Sequence, residues 1–317
     1  MNKSNMTKAE MLRKRIGQLA KYHDTGEGRT LEELKRSTEV LRGQESLRLR
    51  TFCTNTRMVP ARDLDNEYGR LLFEGRLDLI ALDYTNRLHD KPETMSAEAT
   101  MAAVAQDIFE LRWGPTSVPL YNLLGLLSQI VPERRLEYME LAEFYIKFHV
   151  PVNGKDMSGT TALSHCFSTK PSFDLEYAQM LYDAGGDVNN RNRYGATVAH
   201  EIVVVYDPSD RIIVEKATQS LEWFLTHGGS VDIADGDGVT PRTICDTLKG
   251  AIPAFKRLVE REDERRKLEG LSRCYLCGTN EGKLLSCGKC KKAKYCSPQL
   301  RGCQKWDWPR HKKECKA

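Results

Sequence analysis

The chain has no long apolar run. None of its stretches approaches the ~18 consecutive apolar residues that a membrane-spanning helix needs, and this excludes a helical membrane protein as a reading. The opening segment MNKSNMTKAEMLRKR is charged and lacks the apolar stretch of a secretory signal, so the expected compartment is the cytosol or nucleus. No phosphate-binding glycine loop, G-x-G-x-x-G, G-x-S-x-G or H-E-x-x-H pattern occurs, and neither does the asparagine–histidine signature of SET-domain methyltransferases. Most of the chain is also poor in cysteine. Cys53, Cys166 and Cys245 stand alone, and the other seven of the ten lie between Cys274 and Cys315. In a reducing compartment such a cluster reads as metal ligands rather than disulfides.

Net charge is small overall and concentrated locally. The 317 residues carry a net charge of +4. Residues 273–317 hold 12 Lys or Arg against 3 Asp or Glu, a net +9, and the remainder nets −5. A basic tail on a mildly acidic body raises nucleic acid as a partner. Two simpler readings compete with it. The lysines at 289, 291, 292 and 294 can balance anionic metal–thiolate centres, or they can attract anions generally. A sequence-specific reader would present a base-contacting helix, and none is recognisable.

The tail carries the clearest chemistry. Cys274/Cys277 and Cys287/Cys290 are C-x2-C pairs, Cys296 and Cys303 follow, and His311 and Cys315 are four residues apart. Each C-x2-C turns two sulfurs toward one metal. A spacing of four puts His311 and Cys315 on one helix face. Eight thiolate and imidazole ligands suit two closed, four-coordinate zinc sites, and closed sites of this kind are structural. The expected cofactor is therefore two Zn²⁺ ions, which fit a set containing histidine better than an iron–sulfur cluster does.

The order C-x2-C, C-x2-C, Tyr295–Cys296, Cys303–Gln304, Asp307–Trp308, then H-x3-C resembles the MYND finger family. The resemblance covers residues 273–317. It implies a cross-brace, with Cys274, Cys277, Cys296 and Cys303 on one zinc and Cys287, Cys290, His311 and Cys315 on the other. It also implies that Gln304 and Trp308 bind proline-containing peptides, with Trp306 a neighbouring aromatic. The competing reading makes Trp308 part of the core of a very small domain. One departure stands out, because six residues (SPQLRG) separate Cys296 from Cys303 where the family has three. Ser297–Pro298 predicts a helix start. Either the insertion bulges, at Gly302 for instance, or the first site is distorted.

Upstream, VPVNGKDMSGTTALSH, GGDVNNRNRYGATVAHE and GGSVDIADGDGVTPRTI align, with glycines at 159, 195 and 238. Helical patterns over 134–149, 174–184 and 217–226 precede them. This arrangement resembles ankyrin repeats, with Gly185 and Gly228 at helix C-termini, Thr161, Thr197 and Thr240 at helix starts, and His200 as a structural bridge between repeats. The expected fold is mostly α, an ankyrin-like helical stack followed by the cross-braced finger. The expected divisions are 1–55, a partly disordered and partly helical arm; 56–111, a helical pair; 112–252, degenerate repeats; 253–272, a charged, solvated linker helix; and 273–317, the finger. Function follows as a protein- or peptide-binding adaptor without catalysis. The alternatives are a transcriptional regulator touching DNA or chromatin factors through the basic finger and, further off, a lysine methyltransferase.

Overall fold

The structure is a computed structural model and describes residues 24–168, 173–205, 207–269, 273–276, 283–296 and 302–315. The chain forms two compact units. One comprises Arg29–Glu39 with Arg48–Arg193, and the other includes Val40–Leu47 and the described residues from Tyr194 onward.

In chain order the helices are α1 (Leu31–Lys35), α2 (Gly43–Asn55), α3 (Pro60–Asp63), α4 (Glu67–Phe73), α5 (Leu77–His89), α6 (Ala97–Phe109), α7 (Leu120–Ile130) and α8 (Arg135–Lys147). They continue as α9 (Ala162–Ser168), α10 (Leu175–Asp183), α11 (Val198–Val203), α12 (Arg211–Thr226), α13 (Pro241–Leu248) and α14 (Pro253–Glu269). Local chemistry fixes several starts. Thr30 and Glu33 form a capping box on α1, Ser96 caps α6 through the Ala99 N–H, and Asp174 caps α10 through the Tyr177 N–H. α1 ends at Lys35, with Arg36 as its C-cap.

In the first unit α7 and α8 pack as a pair, burying Leu120, Leu123, Leu124 and Leu127 against Tyr138, Leu141, Ala142 and Tyr145. The apolar pattern of α8 assigns Leu136 to this face, yet Leu136 is 77% exposed and Tyr138 takes the buried place. On α6, Val104 and Ile108 are buried and Met101, on the same face, is 39% exposed.

The repeats are held by their turns. Gly159, Gly195 and Gly238 all have positive φ, near 76°, 75° and 83°, the region that a side chain disfavours. Three residues before two of these glycines, Asp156 accepts from the Ser158 and Thr160 N–H groups and Asp235 from the Asp237 and Val239 N–H groups. The structure adds a fourth turn of the same form at residues 114–119, just before α7. Ser117, at φ 53°, stands where the other turns have glycine, which is why the glycine spacing misses it. Backbone bonds join turn to turn. In the first unit Met157 N donates to Thr116 O and Arg193 N to Ser158 O. In the second, Gly236 N donates to Tyr194 O at 2.9 Å.

The expected solvated linker is instead a packed helix. α14 lies against α12 and α13, with Phe255, Leu258 and Val259 buried. Glu262 is buried too and pairs with Arg265 and Arg266 at 2.7 and 2.6 Å. Asp263 meets Arg242, which also clamps Asp232. The physical reason is a stripe at helical spacing, Phe255–Leu258/Val259–Glu262–Arg266, hidden in sequence by the surrounding charge. Among the described residues no helix is long and apolar enough to cross a membrane.

Candidate metal centre

The finger is built from one hairpin and one helix. β1 (Leu284–Ser286) pairs antiparallel with β2 (Lys294–Cys296), with Leu285 opposite Tyr295. The turn between them is the second C-x2-C. Cys287 N donates to Ala293 O at 2.7 Å and Lys291 N to Cys287 O at 3.0 Å, which closes a tight knuckle. The N–H groups of Cys290 and Lys289, helped by His311, favour the Cys287 thiolate and bring its pKa down to about 6. The Ala293 N–H acts likewise on Cys290, whose pKa is lowered. N–H groups aimed at sulfur stabilise a thiolate, the form that binds metal. Tyr275 N donates to Lys294 O, bringing the first cysteine segment alongside β2.

The helix α15 (Cys303–Glu314) follows Gly302, which has a positive φ of 58°. This is where the inserted residues end, and the helix begins at Cys303 itself. The helix start expected at Ser297–Pro298 falls outside the described residues. Cys303, Asp307, His311 and Cys315 recur every four residues, so the helix presents them as one stripe. Cys303 and His311, eight residues apart, lie about 12 Å apart along the axis, and a single helix can therefore serve two metal sites. Midway between them, buried Asp307 accepts from the Tyr295 hydroxyl at 2.7 Å. Tyr295, fully buried, lays its ring edge-on to His311 and to Tyr275. The Tyr-Cys and Asp-Trp pairs of the motif thus include a strut between strand and helix, a role not evident from spacing.

Two ligand groups result. Cys287, Cys290, His311 and Cys315 gather with their ligand atoms within 4.8 Å of one another, all buried. Cys274, Cys296 and Cys303 do the same. In the first group His311 Nε2 is 3.4 Å from Cys287 Sγ and 3.5 Å from Cys290 Sγ, and Cys287 Sγ is 3.9 Å from Cys315 Sγ. A tetrahedral zinc with sulfur at about 2.3 Å and nitrogen at about 2.0–2.1 Å sets its ligand atoms roughly 3.5–3.8 Å apart. The residues present therefore fit zinc. In the second group Cys303 reaches Cys274 and Cys296 despite the insertion, so the bulge reading is favoured over the distorted site. Cys277, the fourth ligand expected there, lies outside the described residues. Zinc bound in such closed groups supplies folding free energy, on the order of 10 kcal/mol or more per structural site.

Comparison with known proteins agrees with this geometry. The family model of the MYND finger matches residues 274–315. These residues are a MYND finger. Over 45 residues the chain is 51% identical to the N-lysine methyltransferase SMYD2-A of Danio rerio, and over 44 residues 49% identical to the histone-lysine N-methyltransferase SMYD3 of Homo sapiens. Each match takes in 14% of this chain and 10% of the relative. A further match, 34% identity over 89 residues, takes in 28% of the chain and 8% of the potassium channel AKT1 of Oryza sativa subsp. indica. The chain thus spans about a tenth or less of the curated relatives it matches. Among solved structures, an ankyrin repeat domain from Acinetobacter baumannii AYE covers 62% of this chain at 17% identity with a TM-score of 0.41. The two methyltransferases match the MYND finger alone.

Outside the metal stripe, the expected peptide-binding pair shares its own face of α15. Gln304 follows Cys303, and Trp308 follows Asp307, so both sit ~100° around the helix from the ligands and one turn apart. Gln304 is half-buried and Trp308 is 43% exposed.

Proposed function

We propose that the chain is a non-enzymatic adaptor whose MYND finger docks an extended, proline-containing peptide against Gln304 and Trp308. The observation that carries this reading is the exposure of the Trp308 indole on a helix whose adjacent Asp307 is 2% exposed. A tryptophan needed for the finger's core would be buried, and this one is exposed, as are Tyr275 and Leu285 elsewhere in the finger. An extended proline segment loses little conformational entropy on docking, so a small aromatic platform with one amide anchor suffices for weak binding. The zinc group of Cys287, Cys290, His311 and Cys315 has four protein ligands, which leaves no open position for an activated water. This supports a structural rather than catalytic role.

The test is Gln304→Ala in the full chain, screened with the parent against a library of labelled proline-containing peptides. Zinc content must stay at the parental value. The expected result is a loss of affinity of about tenfold for peptides that the parent binds, the scale of one lost polar anchor. Unchanged affinity across all of those peptides would place the groove elsewhere.

A further inference from the structure

Five lysines gather around one of the two ligand groups of the finger. Lys289, Lys291 and Lys292 belong to the knuckle between β1 and β2, and Lys312 and Lys313 to the end of α15. The two segments are tied together, because Cys287 and Cys290 of the knuckle and His311 and Cys315 of the helix segment bring their ligand atoms within 4.8 Å of one another. Each of these lysines stands one or two residues from such a ligand, and all five are exposed. Among the described residues none of their side chains makes an ion pair or a hydrogen bond. Asp307 on the same helix does not offset them, since it is buried and accepts from the Tyr295 hydroxyl. With zinc bound, three thiolates and a histidine leave the group a single net negative charge, fewer than five lysines would balance. Lys291 adds a backbone observation. Its φ is 57°, where glycine is unstrained and a side chain is disfavoured. Two exposed rings border the same group. The Tyr275 ring, on a residue 37% exposed, lies 5.8 Å from the His311 ring, and that of Trp308 lies at 6.1 Å.

We infer that this end of the finger binds single-stranded nucleic acid, with the lysines on its phosphates and a base stacked on Tyr275. Cations alone fit any polyanion. Cations contiguous with exposed aromatic rings fit a single strand, whose bases are available to stack. A duplex has its bases already stacked inside, and an acidic peptide has no base to offer. Lysine is a hydrated point charge that meets phosphate without reading sequence, so the strand is held by backbone and stacking rather than by base edges. Trp308 is shared with the peptide platform and the five lysines are not. The lysines and Tyr275 therefore test this inference apart from the peptide reading.

The test titrates the full, zinc-loaded chain with labelled oligouridylate and oligothymidylate of about 12 nucleotides, a length within the range of known single-strand sites. Binding of either supports the inference, and the tighter of the two names the strand as RNA or DNA. The logarithm of the affinity is expected to fall linearly with the logarithm of salt at about −0.7 per phosphate contact, a slope of roughly −2 to −3.5 for three to five contacts. Lys291→Gln with Lys292→Gln is expected to reduce that slope by about 1.4, and Lys312→Gln with Lys313→Gln by a similar amount. Zinc content stays at the parental value in both, because neither pair includes a ligand. Tyr275→Leu is expected to weaken binding about tenfold with the slope unchanged, since a lost stack releases no counterion. A duplex of the same length and polyglutamate serve as competitors. Equal or tighter binding of either competitor overturns the inference. So does failure of both single strands to bind at low salt, parental affinity and slope in the two lysine variants, or full affinity in Tyr275→Leu.

Discussion

His200 occupies the third position of α11 and joins two repeats. Its Nδ1 accepts from Thr197 N at 3.0 Å, so Nε2 carries the proton and donates to Val239 O at 3.1 Å. Asn122 does the same work at the third position of α7, donating to Thr160 O at 2.9 Å, the residue equivalent to Val239 two turns earlier. The histidine was legible in the sequence because it sits in a recognisable box. The asparagine was not, because its place depends on where α7 starts. Burial lowers the pKa of His200, with the bonds to Val239 and Thr197 and nearby carboxylates opposing it. The unfolded chain therefore takes up this proton first. The stabilising contribution is complete above the unfolded value of about 6.5 and is lost as pH falls from there through the lower folded value. His200→Ala is expected to cost about 2–3 kcal/mol, from two lost bonds and an unpaired Val239 carbonyl. His200→Gln should cost less and abolish this part of the acid sensitivity. Denaturant titrations of the three proteins at pH 7.5 and 5.5 check both. A pH dependence unchanged by Gln would refute the assignment. At the same scale Cys303 decides the metal count. The parent should hold two zinc ions and Cys303→Ser one, by metal analysis, whereas two retained in the variant would remove Cys303 from the ligands.

Turns, more than helices, define the repeat elements, and here the sequence was legible in part. Gly159, Gly195 and Gly238 mark three turns because glycine alone takes their left-handed backbone without strain. The turn at 114–119 escaped because Ser117 takes the same conformation at φ 53°. The packed state of α14 escaped for another reason. Its buried stripe includes Glu262 and Arg266, which read as solvated charge until Arg266 is seen donating to Gly229 O and Leu276 O. In the finger the cysteines and histidine that gather in the two groups were marked by their spacing, and the Tyr295–Asp307 strut was not, since a hydroxyl–carboxylate pair has no sequence period. The strained turn yields a prediction. A left-handed non-glycine residue costs ~1–2 kcal/mol, and the added freedom of glycine in the unfolded chain returns ~0.4–1 kcal/mol of that. Ser117→Gly should therefore stabilise the first unit by about 0.5–1 kcal/mol, and Ser117→Val should destabilise it, because β-branching makes this conformation worse. Hydrogen exchange at the Met157 amide, bonded to Thr116 O, reads the turn directly. Equal protection in all three proteins would show that the backbone there is not strained.

At the scale of the whole molecule the question is how far zinc holds the fold. A finger of so few residues cannot stand on its apolar core alone, so chelation should unfold it. The simplest expectation from sequence is that everything upstream is spared. The second unit argues otherwise. Ile233, from the last repeat, is 1% exposed and belongs to the same buried cluster as Cys274, Leu276, Cys287 and Tyr295. Arg266 on α14 spans from Gly229 O to Leu276 O, and Glu262 beneath it is buried. Losing the finger uncovers Ile233, removes one acceptor from Arg266 and opens the Glu262 pair to water. Burial of an isoleucine-sized side chain is worth about 1.5–3 kcal/mol, and the freed guanidinium bond adds about 1 kcal/mol. Such a loss loosens α14 and residues 229–233 without unfolding the unit of Arg48–Arg193, which has its own core on α7 and α8. The measurement is hydrogen exchange before and after zinc removal by a strong chelator under thiol-protecting conditions. Protection should vanish across β1, β2 and α15, fall by roughly 100- to 1,000-fold along α14 and at Ile233 on the summed energies above, and stay unchanged along α7 and α8. Unchanged protection along α14 would make the finger an independent module joined by chain alone. Loss of protection along α7 as well would mean that zinc holds the entire protein.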